Sequence, residues 1–212
     1  YLYTQMEQNR KYGEAEYLTD QQLDLLIKHL PEGPHRVAVC VMRWSASRIS
    51  ETLMLRWSDI TENKITYRKT NTKTKKTRKV PLHPKLKLVL TEWEQVWYMY
   101  PLKARKLASL SKENKYQVKQ PEPTDYVFKG RIKGRHLNRK SVDRVLRRTL
   151  NELEIRGASC HSMRRSMLTK LKDIGFLETD IMEISGHSDL NSLKKYLKTT
   201  DTKKNEMINA LN

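Results

Sequence analysis

The sequence predicts a mainly helical fold with one small antiparallel β-sheet, which is an α+β class. Apolar residues recur at helical spacing along most of the chain. Two short segments rich in β-branched and aromatic residues flank a polar stretch, as in a β-hairpin. Because 212 residues suit a single hydrophobic core, we expect one domain over residues 1–212.

Capping residues and prolines mark the first two helices. Thr19 and Gln22 form a capping-box pattern, which predicts a helix that ends before Pro31. Pro34 suits the first position of a second helix. The mostly apolar residues 37–44 of this helix predict the centre of the core.

A third helix and the hairpin follow. Apolar residues share one helical face over residues 48–60, while Arg48 and Glu51 share another face, where we expect them to point outward. Residues 64–69 and 78–82 carry the β-branched and aromatic residues that predict the two strands of a basic hairpin.

The second half of the chain is again mostly helical in pattern. Residues 101–124 contain several prolines and no periodicity, so we expect a surface excursion or a mobile loop there. Residues 126–128 suggest a short strand. Helices are predicted from Pro84 to before Pro101, and over about 142–153, 161–174, 179–185, 189–198 and 202–211.

The charge balance favours nucleic acid as a partner. Lys and Arg number 42 against 24 Asp and Glu, which gives a formal net charge of +18. Such a field attracts polyanions by releasing their counterions, so we expect double-stranded DNA as the partner. A solvated lysine-rich surface is the alternative, since charge alone does not define a site.

The remaining composition excludes several classes of protein. Cys40 and Cys160 lie far apart without metal-ligand spacing, so neither a disulfide framework nor a zinc site is indicated. No apolar run suits a membrane span, and we expect a cytoplasmic protein beside the nucleoid. Because the chain begins at Tyr1, we expect an N-terminal DNA-binding domain to be missing from it.

Four separated motifs carry residues suited to chemistry on a phosphodiester. They are SASRISETLMLRWSDI over residues 45–60 with Arg48, the hairpin segment KTKKTRKVPL with Lys73 eight residues before Pro81, His161-Ser-Met-Arg164, and Gly186-His187 with Tyr196 nine residues after His187.

This set, in its order and spacing, resembles the tyrosine recombinase or phage integrase family over residues 19–200. The resemblance implies a mainly helical catalytic domain with a small β-sheet, and it implies no cofactor or metal. Two positions depart from the usual pattern: Ala46 stands where many members have Gly, and Arg165 where a His often follows. The resemblance implies the catalytic residues Arg48, Lys73, His161, Arg164, His187 and Tyr196.

The chemistry of these residue types agrees with those roles. Guanidinium groups such as Arg48 and Arg164 match the non-bridging oxygens of a phosphate under attack. A tyrosine hydroxyl is a poor nucleophile at neutral pH and needs a base, for which His161 is suited. A cationic Lys such as Lys73 can protonate the leaving 5′-oxygen. The resemblance also implies that His187 hydrogen-bonds the scissile phosphate.

Further residues are assigned around this set. Glu51 is expected to hold Arg48 in its productive rotamer. Contacts to the DNA backbone are expected from other basic residues: Lys69, Lys76, Arg78, Arg144, Arg147 and Arg148.

Each assignment has a plainer alternative. Arg48 and Glu51 could form an ordinary surface ion pair, and Lys75 or Lys76 could stand in for Lys73 at the hairpin. Tyr196 could be a packing residue of an amphipathic helix. His187 could simply cap a helix.

The resemblance implies a site-specific recombinase that acts through a 3′-phosphotyrosine. We expect a monomer when free and a homotetramer on DNA, with the C-terminal segment docked on a neighbour and with accessory DNA-bending or directionality proteins. A type IB topoisomerase and an inactive DNA-binding regulator are the alternatives. The Gly-His segment and the hairpin ending favour the recombinase.

Overall fold

A computed structural model describes residues 15–97 and 120–210, which form nine helices and one two-stranded antiparallel sheet. The predicted fold class is confirmed. The elements are α1 (Asp20–His29), α2 (Pro34–Ser45), α3 (Ile49–Leu53), β1 (Lys64–Tyr67), β2 (Arg78–Pro81), α4 (Pro84–Val96), α5 (Arg139–Glu152), α6 (Cys160–Asp173), α7 (Glu178–Ser185), α8 (Leu190–Lys194) and α9 (Asp201–Asn209).

Helix α2 is the centre of the core, as its apolar sequence predicts. It packs against α6, α4, α3, α5 and α1. Residues 37–43 of α2 are all buried, because neighbours cover the helix on every side. The capping box that begins α1 is also present: Thr19 Oγ1 accepts from the Gln22 amide, and Gln22 Oε1 accepts from the Thr19 amide.

The hairpin forms with the strands slightly shorter than predicted. Ile65 pairs with Val80 and Tyr67 pairs with Arg78 in the antiparallel register. Side chains two residues apart on a strand share a face, so Arg78 and Val80 both point inward and both are buried. The connection between the strands is anchored by the side-chain amide of Asn71, whose Nδ2 donates to Met54 O just after α3.

The predicted helix over residues 48–60 is wrong in its second half. Helix α3 ends at Leu53, and Trp57–Asp59 form a short 3-10 turn. Backbone pairing with residues 123–127 competes with the helix: the Trp57 amide donates to Asp125 O at 3.1 Å, and the Val127 amide donates to Leu55 O at 2.9 Å. The predicted strand over residues 126–128 is correspondingly reduced to one bridge, Arg56 with Tyr126.

A second, smaller apolar cluster supports the C-terminal helices. Ala46, Leu168, Ile181 and Leu193 are buried together, and Tyr196 packs against them. This cluster joins the end of α2 to α6, α7 and α8.

In the described ranges no helix is long and apolar enough to cross a bilayer. Most of the predicted excursion over 101–124 lies outside the described residues, which resume at residue 120.

Candidate active site

Helix α6 carries two of the predicted residues, His161 and Arg164. Ser159 caps the helix, and its hydroxyl accepts from the backbone amide of His161 at 3.2 Å. His161 therefore lies exposed in the first turn, while Arg164 lies one turn further on and is 0% exposed. Because the helix packs on α2, Arg164 points into the molecule and His161 stays at the surface.

The Arg164 guanidinium is held by backbone carbonyls from two different segments. It donates through Nη1 to Ala46 O and through Nη2 to Ser185 O at 2.8 Å. Burial, together with the nearby charges of Arg48 and Arg78, lowers the pKa of Arg164 to about 9. The group therefore stays charged at neutral pH. Its Nε is buried and has no hydrogen-bond partner within the described residues.

His187 is fixed by Arg164 on one side and by Ser185 on the other. Arg164 Nη2 lies 3.1 Å from His187 Nε2, and a guanidinium can only donate, so Nε2 accepts and the ring proton is on Nδ1. Nδ1 then donates to Ser185 Oγ at 2.8 Å. Burial and the Arg164, Arg48 and Arg78 charges lower the pKa of His187 to about 3, so the ring is neutral.

Tyr196 lies beside these residues. It follows α8 in a turn, where its amide donates to Leu193 O at 2.8 Å and its carbonyl accepts from Thr169 Oγ1. Its ring lies 5.0 Å from the His187 ring and 6.4 Å from the His161 ring, centroid to centroid. The Arg164 guanidinium carbon lies 5.3 Å from the ring centroid. Tyr196 is half-buried, and it packs against the small apolar cluster.

Glu51 is not an outward-pointing residue, contrary to the prediction. It is 1% exposed, and Arg48 Nη1 donates to its Oε1 at 2.9 Å. The Arg48 amide donates to the other oxygen, Oε2, at 3.0 Å. Burial alone would raise the pKa of Glu51, but the Arg78 charge and hydrogen bonds, and then Arg48, lower it. Glu51 is therefore a buried carboxylate that positions Arg48.

Arg78 also differs from its prediction, which was a contact to the DNA backbone. It is 7% exposed, and Nη1 and Nη2 both donate to Glu51 Oε2 at 3.0 Å. Its guanidinium carbon lies 4.2 Å from the centroid of the Tyr67 ring. A Cβ added at Gly186 would lie 3.0 Å from its Cδ, so Arg78 also packs against the turn that carries His187.

Lys73 is exposed in the connection between β1 and β2. The connection is folded on itself, because Thr72 Oγ1 donates to Lys76 O at 2.9 Å and the Lys69 amide donates to Thr77 Oγ1 at 3.1 Å. The strand that follows enters the site at Arg78. Lys73 therefore lies five residues before Arg78, which binds Glu51. No contact within the described residues joins Lys73 to Arg48 or Tyr196.

The two departures from the family pattern have clear positions. Ala46 has a φ of 49°, in the left-handed region that favours Gly, and its carbonyl is the one that holds Arg164. Arg165 is buried beside Arg164 in α6. The remaining predicted DNA contacts are exposed: Lys69, Lys76, Arg144, Arg147 and Arg148.

Sequence reasoning missed the role of Arg78 and of Ser185. The signal for Arg78 was its spacing of two residues from Val80, which places both on the inner face of β2. Ser185 ends α7 just before the Gly-His motif, and no pattern distinguished it from an ordinary helix residue.

The arrangement can stabilise negative charge and remove a proton. The Arg164 guanidinium and the neutral His187 imidazole both lie beside the Tyr196 ring. Burial, followed by the charges of Arg139, Arg164 and Arg48, lowers the pKa of His161, so it is free to accept a proton at neutral pH. No group of three potential metal ligands occurs in the ranges 15–97 and 120–210.

Comparison with known proteins finds one family. The model described as "Phage integrase family" matches residues 16–203. Among curated protein sequences no significant match is found.

Solved structures share the fold at low sequence identity. The XerA recombinase matches with a TM-score of 0.67 and 19% identity, over 96% of this chain and 66% of that one. The XerH recombinase bound to its difH substrate after cleavage matches with 0.67 and 20%, over 93% and 52%. The catalytic domain of bacteriophage HP1 integrase matches with 0.55 and 19%, over 91% and 95%. The chain thus spans about half to two thirds of the first two.

Proposed function

From the premise that this chain belongs to the phage integrase family, we propose that it is the catalytic part of a site-specific DNA recombinase. Its substrate is double-stranded DNA, which it cuts and rejoins through a 3′-phosphotyrosine. The net charge of +18 supports a polyanionic substrate, and the solved XerH structure contains the difH substrate.

One observation carries the proposal. The Tyr196 ring lies beside a neutral His187 and the buried Arg164. Glu51 orients the second arginine, Arg48, by a hydrogen bond of 2.9 Å. A fold-preserving DNA-binding regulator would have no need of a buried cationic cluster against a tyrosine. A buried charge is costly, so it is retained where it stabilises charge that develops in a reaction.

The proposed reaction is two successive transesterifications. The Tyr196 hydroxyl oxygen attacks phosphorus, the bond from phosphorus to the 5′-oxygen breaks, and a 3′-phosphotyrosine forms. His161 accepts the tyrosine proton, and Lys73 gives a proton to the departing 5′-oxygen. A 5′-hydroxyl of a partner strand then attacks the phosphotyrosine, and Tyr196 leaves with its proton restored. The number of phosphodiester bonds is conserved, so no outside energy source is required.

The positive groups carry the charge of the transition state in this scheme. Arg48 and Arg164 bind the non-bridging oxygens. His187 can donate to the same phosphate only with its ring proton on Nε2, so we propose that the phosphate replaces Arg164 at Nε2 and that Ser185 Oγ then donates to Nδ1. Because these groups supply the stabilisation, we propose that the reaction does not depend on a metal ion. We also propose that the protein acts as a homotetramer on paired DNA sites and is a monomer when free.

The test is replacement of the nucleophile. Tyr196→Phe removes one hydroxyl, so covalent attachment to a nicked duplex should be abolished while DNA binding stays within about twofold of the unmodified chain. A denaturing gel measures the adduct, and Tyr17→Phe is the matched control that should form it normally. An adduct that survives in Tyr196→Phe contradicts the proposal. Strand exchange between paired sites, compared with relaxation of a single plasmid, separates a recombinase from a topoisomerase.

A further inference from the structure

A strongly basic loop lies outside the site described above. Residues 129–136, here called the basic loop, read KGRIKGRH and connect the buried Phe128 to α5. Residues 126–142 contain six Lys or Arg and no Asp or Glu. Asp143 just beyond this stretch pairs with Arg139 at 3.5 Å, but no ion pair within the described residues joins Arg131, Lys133 or Arg135 to an acidic side chain.

The basic loop is held in one conformation by its own backbone. The Gly130 amide donates to Arg135 O at 2.7 Å, and the Leu137 amide donates to Phe128 O at 2.7 Å. The Arg135 amide donates to Ile132 O at 3.1 Å, which closes the tip. The crossing at the base needs Gly130, because a Cβ there would lie 2.6 Å from His136 O. The loop is therefore preformed, and little conformational entropy is lost when a partner binds it.

Aromatic contacts fix the base of the basic loop to the body. Lys129 Nζ lies 3.8 Å from the centroid of the Trp97 ring. The His136 ring packs edge-on against the Tyr126 ring, with centroids 5.5 Å apart. The Arg56 guanidinium carbon lies 4.4 Å from the same Tyr126 centroid. Lys129 of the loop and Arg56 of the body thus contact aromatic rings, whereas the cations at the tip can meet a partner.

The basic loop leads to the neighbourhood of the active site. It runs into α5, whose second turn carries Asp143. The Cys160 thiol, at the start of α6, donates to Asp143 Oδ1 at 3.1 Å. His161 is the next residue of α6, so the beginning of α5 lies against the turn that holds the proposed base. DNA that reaches His161 and Tyr196 therefore passes close to the residues that follow the basic loop.

The tip combines cations with one apolar side chain. Arg131, Lys133 and Arg135 are exposed, and Ile132 between them is 66% exposed. Three cations at alternating positions suit the phosphates of a duplex, which are spaced regularly along each strand. An exposed Ile among them suits the floor of a groove, where apolar side chains contact sugars and base edges.

We propose that the basic loop grips duplex DNA beside the cleavage site, with Arg131, Lys133 and Arg135 on phosphates and Ile132 against a groove. This inference rests on the proposed function for the identity of the partner. It assigns the loop to binding and not to the chemical step, so the two can fail separately.

The test measures how DNA affinity depends on salt. The triple variant Arg131→Gln, Lys133→Gln, Arg135→Gln removes three phosphate contacts. Since each contact contributes about 0.9 to the slope of log affinity against log salt, the slope should fall by about 2 to 3. Fluorescence anisotropy of a labelled duplex at several salt concentrations gives the slope, and the melting temperature of the variant checks its fold.

A matched triple variant removes the same charge elsewhere. Lys28, Lys64 and Lys85 are exposed on α1, β1 and α4, and their replacement by Gln should change the slope by less than about 1. An equal fall in both triples would mean that net charge sets the slope, and this result overturns the proposal. An unchanged slope in the loop triple overturns it too, and would leave an acidic protein as the partner of the loop.

Ile132 has its own readout. Ile132→Ser should weaken binding by a similar factor at every salt concentration and leave the slope unchanged, because it removes no charge, whereas Ile132→Leu should bind as the unmodified chain does. Equal binding by all three overturns the groove contact. If the unmodified chain forms no covalent adduct, the proposed function fails, yet the slopes still decide the role of the basic loop. If the adduct forms and the slopes do not differ, only the loop inference fails.

Discussion

The buried carboxylate of Glu51 should be essential to the fold as well as to the site, and Glu51→Gln tests this. The substitution keeps the shape of the side chain but leaves Arg78, which is 7% exposed, without its anionic partner. Removing one member of a buried ion pair costs about 3 to 5 kcal/mol. Because Gln still offers one oxygen to the two arginines, we expect the lower end, about 3 kcal/mol of unfolding free energy.

The pH dependence identifies charge as the cause. The pKa of Glu51 is lowered in the folded state, so its contribution is complete above the pKa of the unfolded state, about 4.3, and is lost as pH falls through the folded value. Urea unfolding should therefore show a constant deficit for Glu51→Gln at pH 6 to 8. That deficit should shrink below about pH 4.3.

The matched control is Glu62→Gln, the same change in an exposed pair with Lys87, which should cost less than about 1 kcal/mol. Covalent attachment by Glu51→Gln, measured well below its melting temperature and at saturating DNA, should slow by about 10-fold to 100-fold, because Arg48 loses its orientation. A deficit no larger than that of Glu62→Gln, or one that does not change with pH, would refute the reasoning.

Four further predictions concern single features of the site. Lys73→Ala should cleave ordinary DNA poorly but cleave DNA with a bridging 5′-sulfur at near the unmodified rate, since sulfur leaves without a proton. The control Lys75→Ala should cleave both substrates. Equal defects of Lys73→Ala on the two substrates would contradict its role as the acid. The pKa of His161 lies below 6.5, so attachment should be lost only as pH falls below that value, and a midpoint at or above 6.5 in a pH-rate profile contradicts this. Ala46→Gly should change the unfolding free energy by less than about 1 kcal/mol, because relief of a left-handed φ offsets the loss of one buried methyl group. Ala46→Val should lower the unfolding free energy by more, and urea titration measures both variants. Excess EDTA should leave attachment unchanged, and inhibition that magnesium reverses would count against a metal-independent reaction.

The sequence predicted most helix starts well because their signals are local, although α8 ends at Lys194, four residues before its predicted end. Capping residues, prolines and apolar spacing act within a few residues, and α1, α2 and α6 begin within one or two residues of their predicted positions. The third helix was overpredicted, since its end depends on pairing with residues 123–127. That partner lies nearly seventy residues away, and no pattern around Trp57 reveals it.

The sequence motifs identified the candidate site residues, but they did not identify the residues that hold those side chains in place. Ordered spacing marked Arg164 and Tyr196, but it said nothing of which groups hold them. Glu51 was expected to face outward because a Glu beside an Arg is usually a surface pair. Its burial follows from Arg78, which reaches it from β2, and a contact between residues 27 positions apart is set by the tertiary fold.

The position of Arg78 connects the two halves of the proposed chemistry. The strand that carries it begins at the end of the connection that holds Lys73, and its guanidinium binds the carboxylate that orients Arg48. The same side chain packs against Gly186, whose φ of 67° admits no Cβ without strain. A shift of β2 would therefore move the proposed acid, the oriented arginine and the His187 turn together. Since Arg78 is buried between charged and aromatic partners, such a shift is costly, and the hairpin and the helical core hold one relative position before DNA arrives.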